Sequence, residues 1–162
     1  MIRHLYKQIT ARIDSSEAIV ITGMRRTGKT TLLRFVYEKV VQNNKLFLDL
    51  ENTLNRKYFE EEDYERIKFN LEILGLNFKN KAALFLDENQ FIKNLPSIIK
   101  YLSDHYGVKF FLTGSSSFYL KNLFSESLAG RKYIFELFPF NFNEFLRLKG
   151  EQMRVSSSFK NI

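Results

Sequence analysis

Short apolar runs alternate along this chain with stretches in which apolar residues recur every three or four positions. The runs are rich in β-branched and aromatic residues and predict five buried strands at 18–22, 46–50, 82–86, 108–112 and 132–137. The helical spacing predicts helices at 30–41, 55–74, 94–102 and 115–124, and a last one through 148 that Asn141 or Asn143 caps. The acidic residues at 60–63 fall early in the second helix, where the helix dipole favours negative charge. The alternation predicts an α/β domain with a mostly parallel sheet.

The composition narrows the class of protein. The 162 residues include no cysteine and only two histidines, which excludes thiol catalysis and cysteine-ligated zinc and argues against a histidine-rich metal site. No stretch approaches the roughly 18 consecutive apolar residues of a membrane span, and positions 1–12 lack the apolar run of a secretory signal. We therefore expect a cytoplasmic protein without membrane contact. The net charge of +7 is compatible with nucleic acid as a partner but does not require it.

The loop after the first predicted strand carries a phosphate-binding pattern. Residues 23–30 read GMRRTGKT and match G-x-x-x-x-G-K-[ST]. Its glycines let successive N–H groups turn inward towards phosphate oxygens, and the helix that follows directs its N-terminus at the same anion. Lys29 is expected to contact the β- and γ-phosphates, and the Thr30 hydroxyl to bind Mg²⁺. The candidate nucleotide-binding residues of this segment are Gly23, Met24, Arg25, Arg26, Thr27, Gly28, Lys29, Thr30 and Thr31, of which the two arginines are either solvated or face the nucleotide or a partner.

A pair of acidic residues follows the third predicted strand. Asp87 is expected to hold Mg²⁺ through water, and Glu88 to act as the general base on the attacking water. The adjacent pair favours ATP hydrolysis over transfer to a small molecule, and no N-K-x-D segment for guanine recognition is present. Thr113 and Ser115, at the end of the fourth predicted strand, sense the γ-phosphate or serve as ordinary turn residues.

Several motifs together resemble a known family. The segments GxRRxGKTTLL, LFLDExQ, FFLTGSSS, SLAGR and FPFxxxEF are similar to those of the AAA-type predicted ATPases of archaea and bacteria, P-loop ATPases with an additional strand and a catalytic glutamate. The resemblance covers residues 1–149. It implies a three-layer α-β-α P-loop NTPase fold with a five-stranded sheet in the order 5-1-4-3-2, and it implies ATP and Mg²⁺ as ligands.

The resemblance also implies roles for single residues. Catalysis is assigned to Glu88, Lys29 and Arg131, the last reading the γ-phosphate in cis or from a neighbouring subunit unless it is a surface arginine. Gln90 matches a polar residue that follows the family's acidic pair. Asn89 stands where the family usually has an apolar residue.

The predicted organisation is an ATPase domain at 1–149 and a tail at 150–162, the start of a C-terminal region that usually follows this module in the family. The expected function is hydrolysis of Mg-ATP to ADP and phosphate. The alternative is an ATP-dependent binding module with weak or no hydrolysis that docks protein or nucleic acid. A homo-oligomer is compatible with either. The phenylalanines near the C-terminus are expected to pack in the core rather than to form a docking surface: Phe135, Phe138, Phe140, Phe142 and Phe145.

Overall fold

A computed structural model describes residues 4–115, 128 and 130–139. Its centre is a sheet of five strands, β1 (Ala18–Thr22), β2 (Lys45–Asp49), β3 (Ala83–Asp87), β4 (Lys109–Gly114) and β5 (Lys132–Glu136). Every neighbouring pair is parallel, and the strands lie in the order β2-β3-β4-β1-β5. This confirms the predicted order, read from the opposite edge. All five strands therefore end at the same edge of the sheet, which we call the carboxyl edge; the opposite one is the amino edge.

Five helices flank the sheet within the described residues: α1 (His4–Thr10), α2 (Lys29–Lys39), α3 (Thr53–Arg56), α4 (Tyr64–Ile73) and α5 (Leu95–Tyr106). Two 3₁₀ turns, Lys57–Phe59 and Asn89–Phe91, complete these segments. No described helix has the length and apolar character needed to cross a bilayer.

Each face of the sheet has its own core because successive side chains of a strand point to opposite faces. One face packs against α1 and α2 around Ile21, Phe85 and Phe111, and the last two rings stack with centroids 4.3 Å apart. The other packs Leu84 and Leu112 against α4 and α5. The outcome is the three-layer architecture, with α2 lying on the same face as the side chains of alternate residues 83, 85 and 87.

One expectation about the helices was wrong, and one helix was not predicted. The single helix expected at 55–74 is divided into α3, a 3₁₀ turn and α4. Helix α4 begins separately because the Asp63 carboxylate accepts a hydrogen bond from the Glu65 N–H at 2.9 Å and so caps it. The acidic residues at 60–63 therefore precede a helix instead of lying inside one. Helix α1 was not predicted, although its Ile9 is fully buried.

The structure describes only part of the C-terminal region for which predictions were made. Phe135 is buried as expected, whereas Phe138 is exposed, which contradicts its assignment to the core. Phe140, Phe142 and Phe145 lie outside the described residues, as do the expected helix at 115–124 apart from Ser115, the expected helix through 148 and the tail at 150–162.

Candidate active site

The glycine-containing loop leaves β1 at the carboxyl edge and turns sharply at Gly23. The φ of Gly23 is 147°, and a Cβ there would lie 2.2 Å from the Leu137 carbonyl oxygen. Leu137 is fixed in this position because its N–H donates to the Thr22 carbonyl at 2.7 Å. Only glycine fits between the loop and the chain that leaves β5.

The loop curls around the carbonyl group of Met24. The Thr27 hydroxyl donates to this oxygen at 2.9 Å, and the Lys29 ammonium donates to it at 2.8 Å. Met24, Arg25 and Arg26 are exposed at the crest, whereas Thr27 and Lys29 are buried beneath them. The loop therefore presents its backbone over a buried cation.

Helix α2 starts at Lys29, directly after this loop. Its N-cap is Gly28, in the left-handed region at φ 93°, and no side chain caps the helix. The first-turn N–H groups are thus left for another acceptor, which is the arrangement that binds anions at helix N-termini. Thr30 is half-buried in this first turn, and Thr31, the last of the candidate nucleotide-binding residues of this segment, is exposed.

Asp87 ends β3 on the same sheet face as α2. It is 3% exposed, and its Oδ1 accepts a hydrogen bond from the Thr113 hydroxyl at the end of β4. The same hydroxyl accepts the Glu88 N–H at 3.1 Å. Thr113, predicted as a sensing residue, therefore ties the two acidic residues to the neighbouring strand.

Glu88 adopts an unusual backbone conformation for a residue with a side chain. Its φ and ψ are 55° and 50°, in the left-handed region. Such a conformation costs about 1–3 kcal/mol and is concentrated at functional sites. Its half-buried carboxylate accepts hydrogen bonds from Gln90 and Ser115.

The charge of Lys29 interacts with the charges of Asp87 and Glu88. Burial lowers the pKa of Lys29, the negative charges of Glu88 and Asp87 act to raise it, and Arg25 lowers it further. Lys29 is 4% exposed. The structure thus brings together Lys29, Asp87, Glu88 and Thr113, which the sequence placed on three different segments.

The Mg²⁺ ion that the fold family implies fits the oxygen groups present. Mg²⁺ takes one or two carboxylates and completes its shell with waters and phosphate oxygens. Asp87 offers a buried carboxylate and Thr30 a hydroxyl at the start of α2. The described residues contain no cluster of three or more His, Cys, Asp or Glu that would form an all-protein site. One carboxylate and one hydroxyl are donors of the kind that Mg²⁺ takes from a protein when waters and phosphate oxygens complete its shell.

Arg131 lies at the wrong end of the sheet to act in cis. It directly precedes β5, and its carbonyl accepts the N–H of Ala18, the first residue of β1, at 2.8 Å. A five-residue strand is about 16 Å long, so the carboxyl edge is beyond the reach of this side chain. Its guanidinium pairs with Asp104 of α5 instead. The expectation of a γ-phosphate contact within the same chain is wrong.

The contact between Glu88 and Gln90 was not foreseen. The sequence points to Gln90 only through the family resemblance, and to Ser115 only as a strand-end residue. A polar residue two positions after an acidic one was the available signal, but the 3₁₀ turn that folds it back was not predicted.

Comparison with known proteins gives the family. A family model described as an AAA domain matches residues 15–146. Two uncharacterized proteins of Methanocaldococcus jannaschii are 32% and 30% identical over 143 and 154 residues, covering 88% and 92% of this chain. The chain spans about a third of their length, 31% of each.

Solved structures agree on the fold. C. elegans PCH-2 superposes with a TM-score of 0.58 at 19% identity, over 90% of this chain and 42% of that one. The Pif1 helicase from Candida albicans gives 0.57 at 14% identity, over 87% and 40%. Since the family model covers most of the chain and the sheet has the matching order, the chain belongs to the AAA domain family.

Proposed function

We propose that this domain binds Mg-ATP and hydrolyses it to ADP and phosphate. The observation that carries the proposal is the buried Lys29, which lies at an uncapped helix N-terminus and within the electrostatic reach of Asp87 and Glu88. A buried cation beside two acidic groups and free N–H donors suits a ligand that brings both phosphate charge and a metal ion. Membership of the AAA domain family supports nucleotide binding.

Binding is divided among groups of the loop and of α2. Lys29 exchanges the Met24 carbonyl for phosphate oxygens, and the N–H groups of the first turn of α2 donate to the same anion. Thr30 and Asp87 hold Mg²⁺, which when bound neutralises charge that develops on the transferred phosphoryl group. Thr113 keeps the Asp87 carboxylate in place.

Hydrolysis is assigned to Glu88. Its carboxylate accepts a proton from the attacking water, while Lys29 stabilises the charge on the phosphate oxygens. The strained backbone of Glu88 is consistent with a residue placed for chemistry rather than for folding.

Glu88→Gln tests the assignment because it removes the base and keeps the shape of the side chain. We expect ATP to bind as in the wild type, followed by anisotropy of a fluorescent ATP analogue, and phosphate release to fall by roughly two orders of magnitude or more. Glu38→Gln, on the exposed side of α2, is the matched control and should release phosphate normally. Hydrolysis at the wild-type rate in Glu88→Gln contradicts the proposal.

A second copy of the chain would complete the site through Arg131. Since this residue lies at the amino edge and is half-exposed, it is available to a neighbour's nucleotide and not to its own. Arg131→Ala keeps its own Glu88, and Glu88→Gln keeps its own Arg131. Mixing these two inactive variants should restore phosphate release, since mixed oligomers contain sites with both groups. Full activity of Arg131→Ala alone, or no recovery on mixing, contradicts the role in trans.

The alternative is a binding module that ATP switches without turnover. Large apolar side chains are exposed around the carboxyl edge, next to the candidate nucleotide site: Met24 (69%), Leu54 (62%), Phe91 (42%) and Phe138 (66%). Tight ATP binding by the wild type without phosphate release, with or without added DNA, would favour this function over hydrolysis.

A further inference from the structure

The Glu88 carboxylate receives two hydrogen bonds on one oxygen. The Gln90 side-chain Nε2 donates to Glu88 Oε2 at 2.5 Å, and the Ser115 hydroxyl donates to the same oxygen at 2.9 Å. The second hydrogen of Gln90 Nε2 goes to Ser115 Oγ, also at 2.9 Å. The three side chains therefore form a closed triangle of hydrogen bonds.

The orientation of the Gln90 amide follows from this triangle. Its nitrogen lies towards the carboxylate, while its own oxygen Oε1 is buried and has no hydrogen-bond partner. A buried acceptor without a partner is unfavourable. The reverse orientation would bring the amide oxygen against the carboxylate, so the bonds to Glu88 decide how the amide lies.

The main chain of Glu88 is held as firmly as its carboxylate. The Glu88 N–H donates to Thr113, and Ser115 follows closely on the same strand end, so both ends of the residue are tied to β4. The described residues place no hydrogen bond on the other carboxylate oxygen, Oε1. One oxygen is thus occupied and the other is left for a proton.

We propose that Gln90 is a positioning residue for hydrolysis: together with Ser115 it fixes Glu88 Oε2, which leaves Oε1 to accept the proton of the attacking water. The inference rests on the proposed ATPase function. In the step, one O–H bond of water breaks and its proton moves to Oε1. The water oxygen forms a bond to the γ-phosphorus, and the electrons of the cleaved P–O bond stay with ADP.

Gln90→Met tests the role because methionine keeps the length of the side chain and removes the amide. We expect kcat to fall roughly 10- to 100-fold, by analogy with the loss when a residue that orients a metal ligand is removed. KM and the affinity for a fluorescent ATP analogue should be unchanged, since Gln90 contacts no residue of the phosphate loop among its hydrogen bonds. Gln90→His, which keeps a ring N–H donor, should recover part of kcat.

The test needs a variant that separates positioning from folding. Gln8→Met on the exposed side of α1 should leave kcat and the unfolding midpoint unchanged. In a Glu88→Gln background, followed by single-turnover phosphate release, Gln90→Met should add no further loss, because its effect passes through the carboxylate.

Three results would overturn the positioning role: an unchanged kcat in Gln90→Met, a raised kcat, which would mean that Gln90 restrains Glu88, or an equal fractional loss in the Glu88→Gln background. These differ from failure of the proposed function itself. In that case the wild type releases no phosphate, or Glu88→Gln releases it at the wild-type rate, whatever residue 90 is.

Discussion

Two lysines, the buried Lys29 and the half-buried Lys109, lie at opposite edges of the same sheet, and their surroundings differ. At the amino edge, Lys109 Nζ donates to the carbonyls of Arg12 at 3.2 Å and Ser15 at 2.6 Å, to the Ser15 hydroxyl at 3.1 Å, and to the Glu17 carbonyl. At the carboxyl edge, Lys29 Nζ has one such oxygen within the described structure, the Met24 carbonyl. Burial lowers the pKa of both, that of Lys109 to about 8.

The difference separates a lysine that anchors the fold from one that we propose binds phosphate. An ammonium group has three donors. Those of Lys109 are saturated by fixed oxygens that anchor the segment between α1 and β1 to β4. Lys29 donates to one oxygen of the described residues, which leaves donors for the proposed phosphate, and the acidic groups near it offset part of the cost of burying its charge.

The two edges as a whole also differ in how completely their polar groups are hydrogen-bonded. At the amino edge the Asn44 side chain donates to the carbonyls of Asn77 and Lys81 and accepts the Asn77 N–H. At the carboxyl edge, Arg26 and Glu88 have positive φ, and buried polar atoms of three residues lack partners: Thr22, Asn89 and Gln90. Strain and unused polar groups thus gather where the proposed chemistry takes place.

Lys29→Met should cause the largest change. Charge-assisted hydrogen bonds contribute about 1.5–3 kcal/mol, so ATP affinity should weaken roughly 10- to 100-fold. The unfolding midpoint should stay the same or rise, because a buried charge is removed. Titration of a fluorescent ATP analogue and thermal unfolding measure both. Lys39→Met, exposed at the end of the same helix, is the control. A folded Lys29→Met protein with undiminished affinity would remove the contrast between the two lysines.

Lys109→Met should give the opposite result. Without the ammonium, the carbonyls of Ser15 and Glu17 lose a donor, which we expect to cost about 2 kcal/mol of stability. The unfolding midpoint should fall by about 4–8 °C, while ATP affinity stays at the wild-type value. Lys100→Met on the exposed side of α5 is the matched substitution. Weaker ATP binding in a folded Lys109→Met protein would show that the two edges are coupled.

The pH dependence of stability should also show the titration of Lys109. Its pKa is about 8 in the folded chain against the usual 10.5, so between these values the unfolded chain binds more protons. The contribution of Lys109 to stability therefore rises with pH from about 8 to 10.5. Urea unfolding at pH 7.5 and 9.5 should show this rise in the wild type and a smaller one in Lys109→Met. Staying below pH 10 avoids Tyr106, whose pKa is raised to about 12 by its hydrogen bond to Glu65. The same slope in both proteins would refute the assignment.

Asn89→Leu should stabilise the domain. Asn89 is 1% exposed, and neither polar atom of its amide has a partner. Leucine has the same branched arrangement of side-chain heavy atoms and removes two unsatisfied groups, for a gain of about 1 kcal/mol. The unfolding midpoint should then rise by about 2–4 °C. Asn43→Leu on the surface should change it little. A lower midpoint in Asn89→Leu would contradict the gain expected from removing the two unsatisfied groups.

Local patterns in the sequence were sufficient for the sheet and for the separate parts of the site. Five apolar runs gave the strands, and the glycine-lysine loop and the acidic pair each follow a strand, so the shared carboxyl edge brings them together. The place of Arg131 could also have been deduced, because a residue that precedes a parallel strand lies at the amino edge.

The remaining features depend on contacts that no local pattern contains. The break before α4 depends on one side-chain cap, that of Asp63. The Glu88–Gln90–Ser115 triangle joins residues up to 27 positions apart, and it needs the left-handed turn at Glu88. Neither hydrophobic periodicity nor motif spacing predicts these.

Asp104→Asn should have the smallest effect. The pair it forms with Arg131 lies at the amino edge with 50% and 40% of the two side chains exposed. Ion pairs this accessible contribute about 0–1 kcal/mol, because water and salt screen them. The unfolding midpoint should therefore move by about 2 °C or less, far less than in Lys109→Met at the same edge. ATP affinity should be unchanged, since the carboxylate is a strand's length from Lys29.

The same substitution also tests the role of Arg131 in trans. Released from Asp104, Arg131 is freer to reach a neighbouring copy, so phosphate release at high protein concentration should stay the same or rise. A fall in phosphate release with an intact fold would mean that Asp104 holds Arg131 in its working position.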